Sequence, residues 1–174
     1  MIEFEDQSRE VYELVEKNKI YENLMKYVRG QDRKDLDLMK SAYWPDATDN
    51  HAVFVGNGHE FCEMAYNGQK KSGHAALHHC SNVLIELSGN QAKCESVFLY
   101  VMIFTERNET KLVGGRYKDL CEKRCGEWKI LRRSCIFDWA NELSGAQDFE
   151  GIFSFPPTAL VGDLYPKDPI YTDW

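Results

Sequence analysis

Apolar residues in the first part of the chain recur at the spacing of an α-helix. In residues 8–29 they fall mostly at steps of three and four, which predicts a helix with one apolar face. The positions are Val11, Leu14, Val15, Ile20, Leu24 and Tyr27. Ser8 can cap the start of this helix, and Gly30 is expected to end it. A second helix is predicted over 35–44, with Pro45 as its end.

Strand patterns dominate the rest of the chain. A short strand is predicted over 47–55, and a third, less regular helix over 59–71. Four longer strands are then predicted, with turn residues between them, over 77–87, 92–106, 111–124 and 127–140. The segment 92–106 is long for a strand, so we expect it to bend or to carry a bulge in a strongly curved sheet.

The order of these elements predicts the fold class. Helices come first and a run of antiparallel strands follows, which is typical of an α+β protein with segregated elements. The length of 174 residues fits one domain, which we place at 1–145. Residues 146–174 contain four prolines and little periodicity, and we expect them to pack on the domain or on a neighbouring subunit. A curved sheet around the N-terminal helices would enclose a deep pocket.

Charge and hydropathy exclude several classes of function. The formal net charge is −7, and the one short basic cluster, Lys129, Arg132 and Arg133, lies inside a predicted strand. We therefore expect no nucleic-acid partner. The longest apolar run, around 97–104, is much shorter than the roughly 20 residues that span a bilayer. The acidic N-terminus does not have the pattern of a signal peptide, so we expect a cytoplasmic protein without a membrane partner.

Cysteines and aromatic residues add two expectations. Without a secretion signal, the six cysteines are expected to be free and mostly buried thiols. Cys121 and Cys125 are four residues apart, but no second close pair completes a zinc site, so no metal is predicted. Aromatic residues make up 13% of the chain, and they suit either a core or the lining of a hydrophobic site.

All five histidines lie between positions 51 and 79, and histidine is the side chain best suited to proton transfer near neutral pH. His78 and His79 open a predicted strand, whose side chains alternate in direction. His78 should therefore share a face with Cys80 and Asn82, and one histidine of the doublet should face the interior. The alternative is that both histidines only form hydrogen bonds where the strand begins. A metal site using His74 is not favoured.

Asp32 is also open to two interpretations. It lies in the segment GQDRKD, between the two predicted helices, where Asp32 or Asp35 could cap a helix end. The alternative is that Asp32 is an acid/base residue. The position alone does not choose between these roles.

Three segments in order resemble the SnoaL-like branch of the NTF2-like superfamily. They are YVRGQDRKDLDLMKSAYWPDA, LHHCSN and GGRYKDLCEKRCGEWKILRR, and the resemblance extends over about residues 10–140. It is closest to the cofactor-free lyases of that branch, of the hexachlorocyclohexane dehydrochlorinase and scytalone dehydratase types. The resemblance implies an NTF2-like cone: an α+β barrel in which N-terminal helices pack in a curved sheet.

The resemblance also implies a catalytic site. The catalytic Asp of these lyases falls on Asp32, the catalytic His on His78 and the active-site Arg on Arg133. By this resemblance His78 is the general base, Asp32 orients its imidazole, and Arg133 binds a carboxylate or assists the leaving group. No cofactor is implied, and no phosphate loop or dinucleotide fingerprint is present in the sequence.

We expect the substrate to be a hydrophobic, aromatic or polycyclic, hydroxylated small molecule. We also expect the protein to act in the catabolism of aromatic compounds. The residues expected to bind it are Tyr27, Tyr43, Trp44, Asn50, Phe54, His79, Asn82, Arg116, Phe137 and Trp139. The polar members suggest a more polar substrate than a chlorinated cyclohexane. The aromatic members could instead be plain core residues.

The expected activity is therefore that of a lyase acting by dehydration, by another elimination or by retro-aldol cleavage. Two other functions stay open: a steroid or polyketide isomerase or cyclase, and a non-catalytic module like the small subunit of a ring-hydroxylating dioxygenase. The resemblance further implies a homo-oligomer, with a trimer favoured over a dimer.

Overall fold

The computed structural model describes residues 2–145, 164–167 and 171, with side chains from residue 8 onward. The helices are α1, Ile2–Arg33; α2, Leu36–Ser41; and α3, Gly58–Ser72. The strands are β1, Tyr43–Asn50; β2, Val55–Asn57; β3, Ala75–Ser88; β4, Gln91–Phe104; β5, Glu109–Arg124; and β6, Glu127–Ser144. One turn of 3-10 helix, Thr105–Arg107, joins β4 to β5. The expected α+β class is confirmed.

The six strands form one curled and unclosed sheet in the order β2-β1-β6-β5-β4-β3. Strands β3 to β6 make a continuous antiparallel meander. One pair of the sheet is parallel, because β1 runs in the same direction as β6. A parallel pair needs a long crossover connection, and the connection from β1 to β6 includes β2, α3 and strands β3 to β5.

The core lies between the helices and the concave side of the sheet. Helix α1 packs against β3 and β6, and its second half supplies Ile20, Leu24 and Tyr27 to the core. The first half of α1 is covered much less, and Val11 and Leu14 of the predicted apolar face stay exposed. Burial of the second half of α1 fixes the position of the helix end that bears Asp32.

The prediction that Gly30 ends α1 is wrong, because the helix continues to Arg33. A Cβ atom on Gly30 would lie 2.7 Å from the backbone nitrogen of Met39, so this glycine permits the close approach of α2. The helix ends three residues later, at Arg33, in a Schellman motif with Lys34 in the left-handed conformation. The Asp35 N–H donates to the Gly30 carbonyl at 2.8 Å, and the Lys34 N–H donates to the Gln31 carbonyl at 3.2 Å.

The second helix is shorter than predicted, and the first strand begins earlier. Asp35 caps α2 by accepting a hydrogen bond from the Leu38 N–H at 3.0 Å. The chain then enters β1 at Tyr43, because pairing with β6 competes with helix propensity. Pro45 therefore lies inside a strand. It falls where the register between β1 and β6 shifts, and a bulge tolerates a residue that has no N–H to donate.

The bulge expected in the long strand β4 lies instead in its neighbour β3. The pairing of β4 with β5 is regular, whereas β3 has an extra residue between Ser81 and Leu84. Asn82 lies in this bulge with φ 48°, and its side chain is exposed. The prediction that Asn82 shares a face with His78 is wrong, because the bulge reverses the alternation of β3.

The described parts of the C-terminal segment contact the end of α1. The Tyr165 N–H donates to the Arg33 carbonyl at 2.8 Å, and the Arg29 guanidinium lies 4.8 Å from the centre of the Tyr171 ring. The rest of the segment predicted at 146–174 lies outside the described residues. Within the described part of the chain, no helix is both long and apolar enough to cross a membrane.

The close approach at Gly30 gives a test of the helix pairing. Replacing Gly30 by Ala is expected to lower the free energy of unfolding by about 1–3 kcal/mol, because the new methyl group overlaps Met39. The control is Gly68→Ala in α3, where a Cβ atom meets nothing within 4 Å. That change is expected to stabilise the protein by about 0.5–1 kcal/mol. Urea unfolding measures both, and equal stability of the two variants would contradict the close contact.

Candidate functional site

Asp32 and His78 form a buried pair that joins the end of α1 to β3. One carboxylate oxygen of Asp32, Oδ2, accepts the backbone N–H of His78 at 2.8 Å. The other, Oδ1, lies 2.5 Å from Nδ1 of the imidazole. The two residues are only 7% and 9% exposed. The carboxylate therefore fixes both the backbone and the ring of His78.

This geometry defines the proton positions on His78. A carboxylate accepts hydrogen bonds, so Nδ1 donates its proton to Asp32 and the neutral ring keeps Nε2 as its proton acceptor. The alternation of β3 buries His78 and exposes His79. Of the two histidines at this strand, His78 is thus the one placed for interior chemistry.

Tyr100 of β4 lies flat against the His78 ring. The two rings are 4.1 Å apart between centres and 12° from parallel. The Tyr100 hydroxyl lies 3.0 Å from Nε2 of His74 and 3.2 Å from Nε2 of Gln69. Burial raises the pKa of Tyr100 to about 12, so the phenol stays protonated.

A second buried polar cluster contains Arg133 and Asp119. The Arg133 Nε and Nη2 atoms donate to the two oxygens of Asp119 at 2.8 and 2.7 Å. The guanidinium carbon lies 4.4 Å from the ring centre of Tyr27 and 4.1 Å from that of Tyr117. The structure thus places Arg133 in an ion pair inside a ring of aromatic side chains. Among the described residues Nη1 has no hydrogen-bond partner, and neither has the Tyr27 hydroxyl.

Asp49 and His51 extend this cluster. The Tyr43 hydroxyl donates to Oδ2 of Asp49 at 2.8 Å, and Nδ1 of His51 contacts Oδ1. His51 stacks on Phe61 with 3.9 Å between ring centres. Burial lowers the pKa of His51, although the hydrogen bond to Asp49 opposes this effect. His51 is therefore a neutral donor to Asp49 near neutral pH.

A small cavity opens beside the Asp32–His78 pair. It has a volume of about 220 Å³, and Asp32, Lys34 and His74 are among the residues that line it. Burial lowers the pKa of Lys34 and, with the nearby charge of Lys34, that of His74. A larger groove of about 480 Å³ lies elsewhere on the sheet and is not lined by Asp32 or His78.

Four of the polar residues predicted to bind substrate lie at the surface. Asn50, His79 and Asn82 are exposed, and the Asn50 side chain accepts the Ala52 N–H at 3.0 Å. Arg116 forms two hydrogen bonds of 3.0 Å with Asp138 on an exposed part of the sheet. Strand alternation and the β3 bulge turn these side chains outward, away from the interior in which they were expected to bind substrate.

The predicted aromatic residues divide into three groups by exposure. Tyr27 and Tyr43 are fully buried, whereas Phe137 and Trp139 are each 51% exposed. An extra residue in β6, between these last two, shifts the register there. Trp44 and Phe54 are half-buried. Trp44 donates to the Glu122 carbonyl at 2.9 Å, while Phe54 packs on Phe61.

Several residues of the two clusters were not found from the sequence. Tyr100 and Asp119 fall in ordinary strand patterns, and only the sheet register brings them to His78 and Arg133. Gln69 lies in α3 and reaches the Tyr100 hydroxyl through the packing of that helix. All six cysteines are free, as expected, although Cys125 is exposed. Among the described residues, no three His, Cys, Asp or Glu side chains are placed to hold a metal ion.

The Arg133–Asp119 pair can be tested against an exposed pair of the same geometry. Asp119→Asn is expected to destabilise the fold by about 3–5 kcal/mol, because it leaves a buried charge without its partner. Asp138→Asn removes the exposed partner of Arg116 and is expected to cost about 0–1 kcal/mol. Chemical denaturation of both variants measures the difference. A cost for Asp119→Asn no greater than that for Asp138→Asn would contradict the burial of this ion pair.

Known proteins with a similar structure share this fold. The chain aligns with a hexachlorocyclohexane dehydrochlorinase, LinA type 2, at 21% identity and with a TM-score of 0.71. The alignment covers 86% of this chain and 99% of that chain. A scytalone dehydratase-like protein of Novosphingobium aromaticivorans aligns at 22% identity, over 77% and 93% of the two chains, with a TM-score of 0.69.

A third structure is that of the β subunit of an aromatic-ring-hydroxylating dioxygenase-like protein, also from N. aromaticivorans. It aligns at 17% identity, over 74% of this chain and 92% of that chain, with a TM-score of 0.62. No curated protein sequence matches the chain. The model of the SnoaL-like domain family matches residues 13–134, which is more than half of the chain. The chain therefore belongs to the SnoaL-like domain family, within the NTF2-like superfamily.

Proposed function

We propose that this protein is a cofactor-independent lyase in which His78 is the general base. The observation that supports this role is the double contact of the Asp32 carboxylate with the backbone and the ring of His78. Such a contact fixes the tautomer whose Nε2 atom accepts a proton, and it stabilises the imidazolium that results. A ring held in this way loses little freedom when it reacts.

The proposed reaction is an elimination. Nε2 of His78 removes a proton from a substrate carbon, the C–H electron pair becomes a double bond, and the leaving group departs from the neighbouring carbon. If the leaving group is hydroxide, the imidazolium returns the proton and water is released. In a retro-aldol cleavage the base removes the proton of a hydroxyl group, whose oxygen forms a carbonyl bond. The carbon–carbon bond then breaks, its electron pair passes to an enolate, and the imidazolium returns the proton to that enolate.

We propose a hydrophobic, ring-bearing and hydroxylated substrate. The aromatic side chains near the two buried clusters favour a flat apolar molecule, and the buried hydroxyl of Tyr27 and Nη1 of Arg133 can each bind an oxygen atom of a ligand. Two of the similar structures are named for a dehydratase and a dehydrochlorinase, and both names describe eliminations. Binding of a substrate oxygen or carboxylate by Arg133 belongs to this proposal.

A non-catalytic role is the second candidate. Aromatic rings fill the interior around Arg133, since Tyr27, Phe98 and Tyr117 are at most 3% exposed. A filled interior suits a structural subunit, and one similar structure is named as the β subunit of a dioxygenase-like protein. An isomerase or cyclase would use an Asp other than Asp32 over the reacting carbon, and Asp49 beside His51 is one buried candidate.

We expect His78→Gln and Asp32→Asn to lower turnover by about 10²–10⁴-fold, the usual contribution of a positioned acid/base group. The matched control is His79→Gln, which removes the neighbouring exposed histidine and should keep the wild-type rate. Scytalone, a hexachlorocyclohexane and aryl β-hydroxy ketones form the substrate panel. The chromogenic base probe 5-nitrobenzisoxazole is added to it, because removal of its ring C–H proton breaks the N–O bond and releases a coloured phenolate.

Circular dichroism of each variant separates loss of the base from loss of the fold. Wild-type-like rates in both His78→Gln and Asp32→Asn would contradict the proposed base. If the wild type converts no member of the panel and a stoichiometric partner subunit co-purifies with it, the non-catalytic candidate replaces the lyase.

We further propose that the protein forms a homo-oligomer, with a trimer favoured over a dimer. Several large apolar side chains of the sheet are exposed, among them Leu77, Leu84 at 69% and Trp139. Light scattering after gel filtration should give a mass that is a multiple of the 20.2 kDa chain. A monomer at micromolar concentration would contradict this proposal.

A further inference from the structure

The hydrogen bonds around Tyr100 form a chain with one consistent direction. The Ser72 hydroxyl lies 3.2 Å from the Gln69 carbonyl oxygen, to which it can only donate. Nδ1 of His74 lies 2.5 Å from the same hydroxyl oxygen, so the Nδ1–H group donates to Ser72. Neutral His74 then has an unprotonated Nε2 atom, which accepts the O–H of Tyr100 at 3.0 Å.

The remaining partner of Tyr100 completes this chain. Gln69 is buried in α3, and its side-chain N–H donates to the Tyr100 oxygen at 3.2 Å. The phenol thus donates once and accepts once. Burial and the charge of Lys34 lower the pKa of His74, which keeps it in the neutral form that the chain requires.

A phenol anchored in this way holds its ring in a fixed plane against His78. The centres of the two rings are 4.1 Å apart and the planes are nearly parallel. The face of an aromatic ring is electron-rich and attracts a cation that lies over it. When His78 accepts a proton, its positive charge forms directly over the Tyr100 ring.

We infer that Tyr100 is a positioning residue for His78, and that its ring, held by His74 and Gln69, stabilises the imidazolium that forms during turnover. This inference rests on the proposed role of His78 as a base. Asp32 selects the tautomer of His78 and lies at the edge of its ring, whereas Tyr100 covers one face. The two residues therefore act on the same group by different contacts.

The charged and titratable groups around this site are few among the described residues. Asp32 approaches His78 from α1 and Tyr100 approaches it from β4. His74 reaches the site only through the Tyr100 hydroxyl, and Lys34 faces His74 across the cavity. A change at Tyr100 therefore alters one face of His78 and leaves the Asp32 contact in place.

Nitrogen-15 NMR of the histidine side chains tests the inference without any substrate. At a pH where both forms of His78 are populated in the wild type, Tyr100→Leu is expected to lower the ratio of imidazolium to imidazole by about three- to tenfold. The matched control is Phe104→Leu, another aromatic residue of β4, which contacts His74 with 4.8 Å between ring centres. This control should leave the ratio unchanged. The His78→Gln spectrum assigns the resonance.

Three further variants separate the effect of the Tyr100 ring from that of its hydrogen bonds. Tyr100→Phe keeps the ring but loses both hydrogen bonds, so its ratio should lie between those of the wild type and Tyr100→Leu. His74→Gln offers an amide oxygen in place of Nε2 and should keep most of the wild-type ratio. His74→Leu offers no acceptor, so its ratio should equal that of Tyr100→Phe. A purely structural role would lower the stability of these variants without this order in the ratio.

The inference is overturned if Tyr100→Leu changes the ratio no more than Phe104→Leu does. It is supported if the ratio of imidazolium to imidazole falls in Tyr100→Leu and if kcat of that variant with 5-nitrobenzisoxazole falls by a similar factor. KM for this probe should stay constant. If the ratio falls but the wild type converts no substrate, the stacking inference holds and the proposed lyase function fails. The two claims therefore have separate outcomes.

Discussion

The Asp32 carboxylate is the contact on which the site depends, because its two oxygens join the end of α1 to β3 through His78. Asp32 can reach this strand only because α1 continues past Gly30 before Lys34 reverses the chain. The close packing of α2 on Gly30 holds that helix end in place. A buried carboxylate is costly unless its oxygens accept hydrogen bonds, so the fold and the histidine geometry stabilise each other.

The interior holds two polar clusters with different physical character. At His78 the ring has one polar partner, Asp32, and one aromatic partner, Tyr100, so proton uptake creates a positive charge that both partners can stabilise. Around Arg133 the charge is permanent and already matched by Asp119 within a cage of rings. The geometry of the first cluster therefore suits proton transfer, whereas that of the second suits holding the fold.

The fold class, the third helix and the four long strands could be predicted from periodicity and turn residues, because those signals are local. The pairing of Asp32 with His78 required a family resemblance, since 46 positions separate them and each has a plausible local role. Gly30 and Pro45 misled the prediction, because a tertiary contact and a strand bulge overrode their usual local effect. The bulge at Asn82 and the position of Tyr100 depend on strand register, which no local pattern contains.

The most direct test of the central claim is the tautomer of His78, read from the nitrogen-15 shifts of its ring in the neutral form. We predict a proton on Nδ1 and none on Nε2 in the wild type, and a mixture of tautomers or the reverse tautomer in Asp32→Asn. A wild-type ring that bears its proton on Nε2 would contradict the account, because that atom could not then accept a proton from a substrate.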